Sequence, residues 1–128
     1  MRVTAGEVHQ FEDGEGWFHL PGAPEGVAVR ILANSLDPTT GRGARVQMLR
    51  LPPGGTLPEA APSEGDYWQE YLLLRGEVSI DGHPAPLHAP AALTIAHGAR
   101  RATLASPRGC LLVEVAHRMS ACVRASDT

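Results

Sequence analysis

Residues 44–78 read ARVQMLRLPPGGTLPEAAPSEGDYWQEYLLLRGEV, and this stretch decides the fold. Side chains alternate along residues 44–51, which predicts a strand. One of its faces carries Val46, Met48 and Arg50, and the other carries Gln47, Leu49 and Leu51. The run PPGG ends this strand, an extended segment follows over residues 56–62, and a polar loop follows over residues 63–66. A second strand is predicted over residues 68–75, with Gln69, Tyr71 and Leu73 on one face, and Gly76 is predicted to turn the chain.

Short runs of Val, Ile and Leu, separated by Gly and Pro, fill the rest of the chain. In the run over residues 27–33, Val27, Val29 and Ile31 share one face. Apolar residues do not recur at helical spacing over three turns anywhere in the sequence. The pattern is therefore typical of an all-β sandwich or barrel. Besides the two strands above, it predicts strands over residues 16–20, 27–33, 77–80, 91–95, 101–105 and 110–116.

Composition limits the class of function. A chain of 128 residues forms one domain around one core. A formal net charge of −3 and a pI near 6.0 argue against nucleic acid as a partner, because phosphate backbones require a basic surface. All 11 basic residues are Arg, so no Schiff base can form on a lysine amine. The first 17 residues carry no apolar signal-peptide core, and no run reaches about 18 apolar residues, so we expect a soluble, cytoplasmic protein without a membrane partner.

The two cysteines do not indicate chemistry. Cys110 and Cys122 have neither the spacing of a metal site nor that of a disulfide framework. Cys110 lies in an apolar predicted strand, so we expect it to be buried as a small hydrophobic residue.

Three segments in sequence order resemble the cupin family of small β-barrels: LDPTTGRGARVQMLRLPPGGTLP, EYLLLRGEVSIDG and HAPAALTIAHGARRATLASPRGCLLVEV. The likeness extends over residues 27–116 and is strongest to the acetylacetone-dioxygenase-like and ChrR-like groups. It implies a single-domain double-stranded β-helix, or jelly-roll barrel, over residues 27–117. Residues 1–26 would form an N-terminal strand and arm, and residues 118–128 a disordered tail. The family also implies a homodimer.

Members of this family usually hold a metal through His-x-His, a Glu and a later His. In this chain the resemblance places the Glu position on Gln69 and the last His position on Arg101. The His-x-His positions fall on Ala60, Ala61 and Pro62 in one alignment and on Ser63 and Gly65 in another. Gln is a poor metal ligand, and a guanidinium repels a cation. The resemblance therefore implies a degenerate metal site with no metal and no other cofactor.

An inward Arg101 requires an anion, because an isolated buried charge costs several kcal/mol. One alternative is an internal pair with a carboxylate, for which the candidates are Glu59, Glu64, Asp66 and Glu70. A second alternative is a bound ligand, held by the bidentate guanidinium. A third is that Arg101 faces solvent and Arg100 takes its place.

We therefore predict a metal-independent enzyme of the cyclase, isomerase or lyase type, acting on a small anionic or enolisable organic molecule. A non-catalytic ligand-binding or sensor module is an alternative. A further alternative is a dioxygenase with relocated metal ligands, drawn from His19, His88, His97, Glu59, Glu64 and Asp66. The predicted catalytic residues are Arg101, Gln69, Tyr71, His97 and Glu59. The predicted ligand-binding residues are Gln47, Trp68 and Arg50, although Arg50 could equally point outward.

Overall fold

The computed structural model describes residues 15–37, 39–40, 42–58, 67–96 and 101–117. This part of the chain is all-β, as predicted, and no helix in it is long and apolar enough to cross a membrane. Its strands are β1 (Phe18–His19), β2 (Ala28–Asn34), β3 (Ala44–Leu51), β4 (Gly55–Leu57), β5 (Trp68–Ile80), β6 (Leu87–His88), β7 (Ala91–Ile95), β8 (Leu104–Ser106) and β9 (Cys110–His117).

The long strand β5 organises the sheet. Its N-terminal half lies between β9 and β7, and its C-terminal half pairs with β8 and β6, all antiparallel. The order along the sheet is β1-β2-β3-β9-β5-β8-β4, so β9 lies between β3 and β5. Because β5 passes from one set of neighbours to another, the sheet curls over its core as in a jelly-roll barrel.

Strand β5 continues through Gly76, where the sequence predicts a turn. Gly76 has a φ of +86°, and the pairing of β5 with β9 shifts register between Leu73 and Arg75. Such a β-bulge bends a strand and increases its twist without ending it. The prediction of a turn at this position is therefore wrong, and the strands predicted over residues 68–75 and 77–80 are one element.

The inner face of the sheet carries the main core. Leu49, Leu112 and Leu73 are cross-strand neighbours on β3, β9 and β5, and each is at most 2% exposed. Burying one such side chain stabilises the fold by about 1.5–3 kcal/mol. Cys110 is buried in the same cluster, which confirms its predicted place as a small hydrophobic residue.

The outer face of the same strands carries a second, smaller cluster. Met48, Leu111 and Val113 are buried there, and Trp17 packs against them. The alternation predicted for residues 44–51 accounts for this division, because Met48 and Leu49 fall on opposite faces of β3.

Three sequence predictions differ from the structure. Ile31 is 46% exposed although Val27 and Val29 are buried, and a bulge follows it between Ile31 and Ala33. Strand β8 begins at Leu104 rather than at Arg101, and the short strand β6 was not predicted. The predicted polar loop over residues 63–66 and the predicted tail over residues 118–128 lie outside the described residues.

Candidate functional site

A row of polar side chains crosses the inner face of the sheet next to the leucine row. Glu114 on β9 is the cross-strand partner of Gln47 on β3 and of Tyr71 on β5. All three residues are at most 8% exposed. Because residues two apart on a strand share a face, Glu114 follows Leu112 and Tyr71 precedes Leu73 on the core side. The row therefore places a carboxylate inside the barrel.

Three donors converge on the carboxylate of Glu114. Gln47 Nε2 donates to Oε1 at 2.7 Å, and Arg45 Nη2 donates to the same oxygen at 3.0 Å. The Tyr71 hydroxyl donates to Oε2 at 2.5 Å. A buried carboxylate is tolerated when its lone pairs accept hydrogen bonds and a cation balances its charge. Arg45 is that cation, with 29% of its side chain exposed. The Tyr71–Glu114 contact has the short geometry of a charge-assisted O–H···O bond.

Arg101 lies against the same tyrosine. It is 6% exposed, and its Cζ lies 5.7 Å from the centre of the Tyr71 ring. Its Nη1 donates to the carbonyl oxygen of Ala102 at 3.1 Å and to that of Leu57 at 3.4 Å. Its buried Nε has no hydrogen-bond acceptor among the residues that the structure describes. The Arg101 guanidinium therefore contacts two carbonyl oxygens and one aromatic ring, and it has no anionic partner among the described residues.

The carboxylates proposed as internal partners of Arg101 divide into two groups. Glu70 alternates with Gln69 and lies on the outer face of β5, where its Oε2 is 3.4 Å from His117 Nε2. Glu70 is therefore not the partner of Arg101, and that part of the prediction is wrong. Glu59, Glu64 and Asp66 lie outside the described residues, as does Arg100.

Four predicted site residues come together inside the barrel, and two do not. Tyr71 and Gln47 meet at Glu114, and Arg101 lies against the Tyr71 ring. Gln69, 3% exposed, lies on the same face of β5 two residues before Tyr71. Trp68 is half-buried and has the opposite parity to Gln69, so its side chain leaves the sheet on the outer face. His97 and Glu59 lie outside the described residues.

Arg50 does not line the interior. Its guanidinium stacks on Trp17 on the outer face, with Cζ 4.3 Å from the ring centre. Of the two orientations open from the sequence, the outward one is correct. The physical reason is strand parity, since Gln47 and Arg50 are three residues apart on β3 and cannot share a face.

Glu114 is the site residue that sequence reasoning missed. It lies in the segment CLLVEVA, in which all of the remaining residues are apolar. A single carboxylate in a predicted core strand is itself a signal, because such a group is rarely buried without partners. Glu114 also has the same parity as Leu112, which places it on the core side.

The described residues do not fit a metal ion. No group of three His, Cys, Asp or Glu side chains converges in this part of the chain, and the positions that the sequence resemblance assigns to two ligands carry Gln69 and Arg101. His88, a relocated-ligand candidate, instead contacts Glu77 at the surface, with 3.3 Å between Nδ1 and Oε2. His19 lines a surface cleft with Trp17 and Phe18. A permanent cation at Arg101 would also repel a metal placed beside it.

Comparison with family models and with curated proteins finds no match for the chain. Solved structures do match. An acetylacetone dioxygenase from Acinetobacter johnsonii superposes with a TM-score of 0.69 at 17% identity, over 91% of this chain and 77% of that one. The anti-sigma factor ChrR, in complex with SigE of Rhodobacter sphaeroides, gives 0.61 at 20% identity, over 83% of this chain and 51% of that one, so this chain spans about half its length.

A cupin 2 conserved barrel domain protein from Salinispora arenicola matches over nearly the full length of both molecules. Its TM-score is 0.59 at 16% identity, over 98% of this chain and 100% of that one. At these identities the likeness is one of architecture. Together with the curled antiparallel sheet around β5, it shows that the chain has the cupin fold.

Proposed function

We propose that this protein binds a small organic anion inside the barrel and moves a proton on it without a metal ion, as an isomerase, cyclase or lyase. The observation that carries the proposal is the buried Arg101, whose Nε has no acceptor in the described part of the chain and whose guanidinium lies against the tyrosine of a Tyr71–Glu114 pair. A cation and a proton-moving pair next to each other are the two groups that enolisation requires.

Arg101 supplies the electrostatic part of this chemistry. Its guanidinium is permanently charged and presents donors in a planar fork that matches a carboxylate or an enolate oxygen. Because the residue is almost fully buried, little water competes with a ligand for these donors. Negative charge that develops on a substrate oxygen is therefore stabilised where it forms.

Tyr71 and Glu114 supply the proton transfer. Arg45 and Gln47 hold Oε1 of Glu114, which leaves Oε2 for the Tyr71 hydroxyl. When the phenolic oxygen takes a proton from a substrate C–H bond, its own proton passes to Oε2, and the electron pair of the C–H bond forms the enolate. Delivery of a proton from the Tyr71 hydroxyl to a different atom of the enolate, or to the opposite face of the same carbon, while Oε2 of Glu114 returns its proton to the Tyr71 oxygen, completes an isomerisation. Tyr71 thus acts as the contacting acid or base, and Glu114 stores the proton.

Proton exchange tests the proposal without knowledge of the substrate. The protein is incubated in D₂O with a panel of small carboxylic acids that carry a C–H bond beside a carbonyl group, and deuterium incorporation is followed by NMR. We expect one chemical class to exchange, and Tyr71→Phe to slow that exchange at least about 100-fold. Glu70→Gln, which changes a carboxylate on the outer face, is the matched control and retains full activity.

Binding to Arg101 is measured on the same panel by calorimetry. Arg101→Met should weaken binding by roughly 10- to 100-fold. Arg101→Lys, which keeps the charge but loses the fork, should give an intermediate loss. Unchanged affinity in both variants would refute the proposal. An internal pair would instead appear as coupling in unfolding free energy between Arg101→Met and the triple variant Glu59→Gln, Glu64→Gln, Asp66→Asn.

The likeness to ChrR supports a second candidate, a ligand-binding module without turnover. In this second candidate Arg101 also holds the ligand, as in the first proposal, but the ligand is not chemically changed. The ligand would then raise the melting temperature of the protein. No deuterium would be incorporated into the ligand, and Tyr71→Phe would leave the binding affinity unchanged.

A further inference from the structure

Three arginines meet on the outer surface of the molecule, away from the barrel interior. Arg50 on β3 and Arg75 on β5 are both cross-strand partners of Leu111 on β9, from opposite sides. Cross-strand partners share a face, and neighbouring strands lie about 4.8 Å apart, so the two Cα atoms are separated by roughly 10 Å. Arg108 lies three residues before Leu111, in the turn between β8 and β9.

These three side chains line one cleft of about 330 Å³. The walls are otherwise apolar side chains and glycine backbone, and none of the lining residues is acidic: Gly26, Leu51, Pro52, Pro53, Gly109 and Cys110. Glu25 lines the adjoining cleft, which shares Gly26 and Arg50, rather than this one.

The three guanidinium groups share one concave wall. Like charges within roughly 10 Å repel one another, and a concave wall of low dielectric constant strengthens the field between them. The stack of Arg50 on Trp17 holds one guanidinium in place. Burial raises the pKa of the Cys110 thiol, which also lines the cleft, and the charge of Arg75 opposes that rise by a smaller amount. Such a cleft, in a chain of net charge −3, concentrates anions.

We infer that the cleft between Arg50, Arg75 and Arg108 is a second ligand site, which binds a phosphate group carried by a small molecule or as the free anion. Guanidinium forks match the oxygen spacing of phosphate, and one dianion can accept bonds from more than one of them. The site is distant from the polar row around Glu114, because Cys110, which lines the cleft, lies four residues along β9 from Glu114, or about 13 Å. The inference therefore does not depend on the proposed function.

Titration with inorganic phosphate tests this site. The Arg Nε–Hε signals of ¹⁵N-labelled protein are followed at constant ionic strength, with chloride as the balancing anion. We expect saturable shifts at Arg50, Arg75 and Arg108. Arg108→Ala, in an exposed turn, should weaken phosphate binding about tenfold or more, since a hydrogen bond to a charged group contributes about 1.5–3 kcal/mol.

Two variants separate this site from other sources of affinity. Arg42→Ala removes an exposed arginine outside the cleft, and Arg101→Met removes the interior cation; both should bind phosphate as the parent protein does. An equal loss in Arg42→Ala would mean a diffuse effect of net charge, and a loss confined to Arg101→Met would place the anion inside the barrel. Either result, or the absence of saturation, would overturn the inference. Tighter binding of glycerol phosphate than of inorganic phosphate would identify a phosphate ester as the ligand, and equal binding the free anion.

Discussion

The carboxylate of Glu114 is the residue on which the interior depends most. It accepts bonds from Arg45, Gln47 and Tyr71, which come from two different strands. Removing an acceptor shared by three donors leaves each of them to be satisfied elsewhere, and a buried donor without a partner costs about 1–3 kcal/mol. Glu114 therefore joins β3 to β5 through β9 as firmly as an apolar contact would.

Substitution of Glu114 tests this role. We expect Glu114→Gln to lower the free energy of unfolding by about 1–3 kcal/mol, because the amide presents N–H groups to existing donors, and Glu114→Ala to lower it by about 3–5 kcal/mol. Urea unfolding measures both. Glu70→Gln, which changes a partly exposed carboxylate one residue before Tyr71 on the outer face, should change stability by less than about 0.5 kcal/mol. Equal effects at the two positions would contradict the hydrogen-bond network described here.

The buried thiol of Cys110 makes stability depend on alkaline pH. Burial raises the pKa of Cys110 above its ordinary value of 9.0, and the opposing contributions from Ser106, Leu51 and Arg75 are smaller. A raised folded-state pKa contributes stability that is fully present below pH 9 and is lost as pH rises through the folded value. The chain contains no Lys, so few other side chains titrate in this range.

Unfolding free energies between pH 8 and pH 10.5 measure this contribution. We expect Cys110→Ala to be less stable than the parent at pH 8, because it leaves a small cavity, but to lose less stability as the pH rises. Both proteins carry Cys122→Ser, so that Cys110 is the variable thiol. Parallel pH profiles for the two proteins would show that the thiol does not titrate in this way.

At the scale of a single element, β5 depends on one glycine. A Cβ at Gly76 would lie 2.2 Å from the carbonyl oxygen of Gly109 and 3.0 Å from Cα of Cys110. These atoms belong to the backbone, which cannot move aside as a flexible side chain can. The bulge that bends β5 therefore requires both a positive φ and the absence of a side chain.

A pair of alanine variants separates these two requirements. Gly82 has a φ of +85°, close to the +86° of Gly76, but no atom lies within 4 Å of its Cβ position. Gly82→Ala should lower the free energy of unfolding by only about 1–2 kcal/mol, which is the cost of holding an alanine in the left-handed backbone conformation. Gly76→Ala should cost clearly more, because β5 and β9 must also separate. Thermal unfolding of both variants gives the comparison, and equal losses would mean that the close approach to Gly109 is not rigid.

For the whole molecule, alternation and turn chemistry predicted most strands but not their partners. The run over residues 44–51 and that over residues 91–95 match β3 and β7 at both ends. The position of β9 between β3 and β5 was not predictable from local pattern, because strand pairing depends on contacts between distant segments.

The candidate site divides in the same way. Strand alternation and the cupin resemblance placed Gln69 and Tyr71 inside the barrel. The orientation of Arg50 was not decided from the sequence, although alternation alone puts it on the face opposite to Gln47. Glu114 was missed because its role depends on the three donors that hydrogen-bond to it. Two of these donors come from β3, more than 60 positions earlier in the chain. A sequence presents such a residue as a single charge in an apolar strand and does not indicate what surrounds it.

The place of β9 in the middle of the sheet also governs how the protein can be made. Strand β9 is translated after all the other described strands, yet it pairs through hydrogen bonds with β3 on one side and with β5 on the other. Until residues 110–117 leave the ribosome, both neighbours keep an open edge, and such edges pair readily with other chains. We therefore expect a nascent chain stopped before Cys110 to form two separate sheet fragments that expose apolar faces, and to be a substrate for chaperones rather than a smaller version of the barrel.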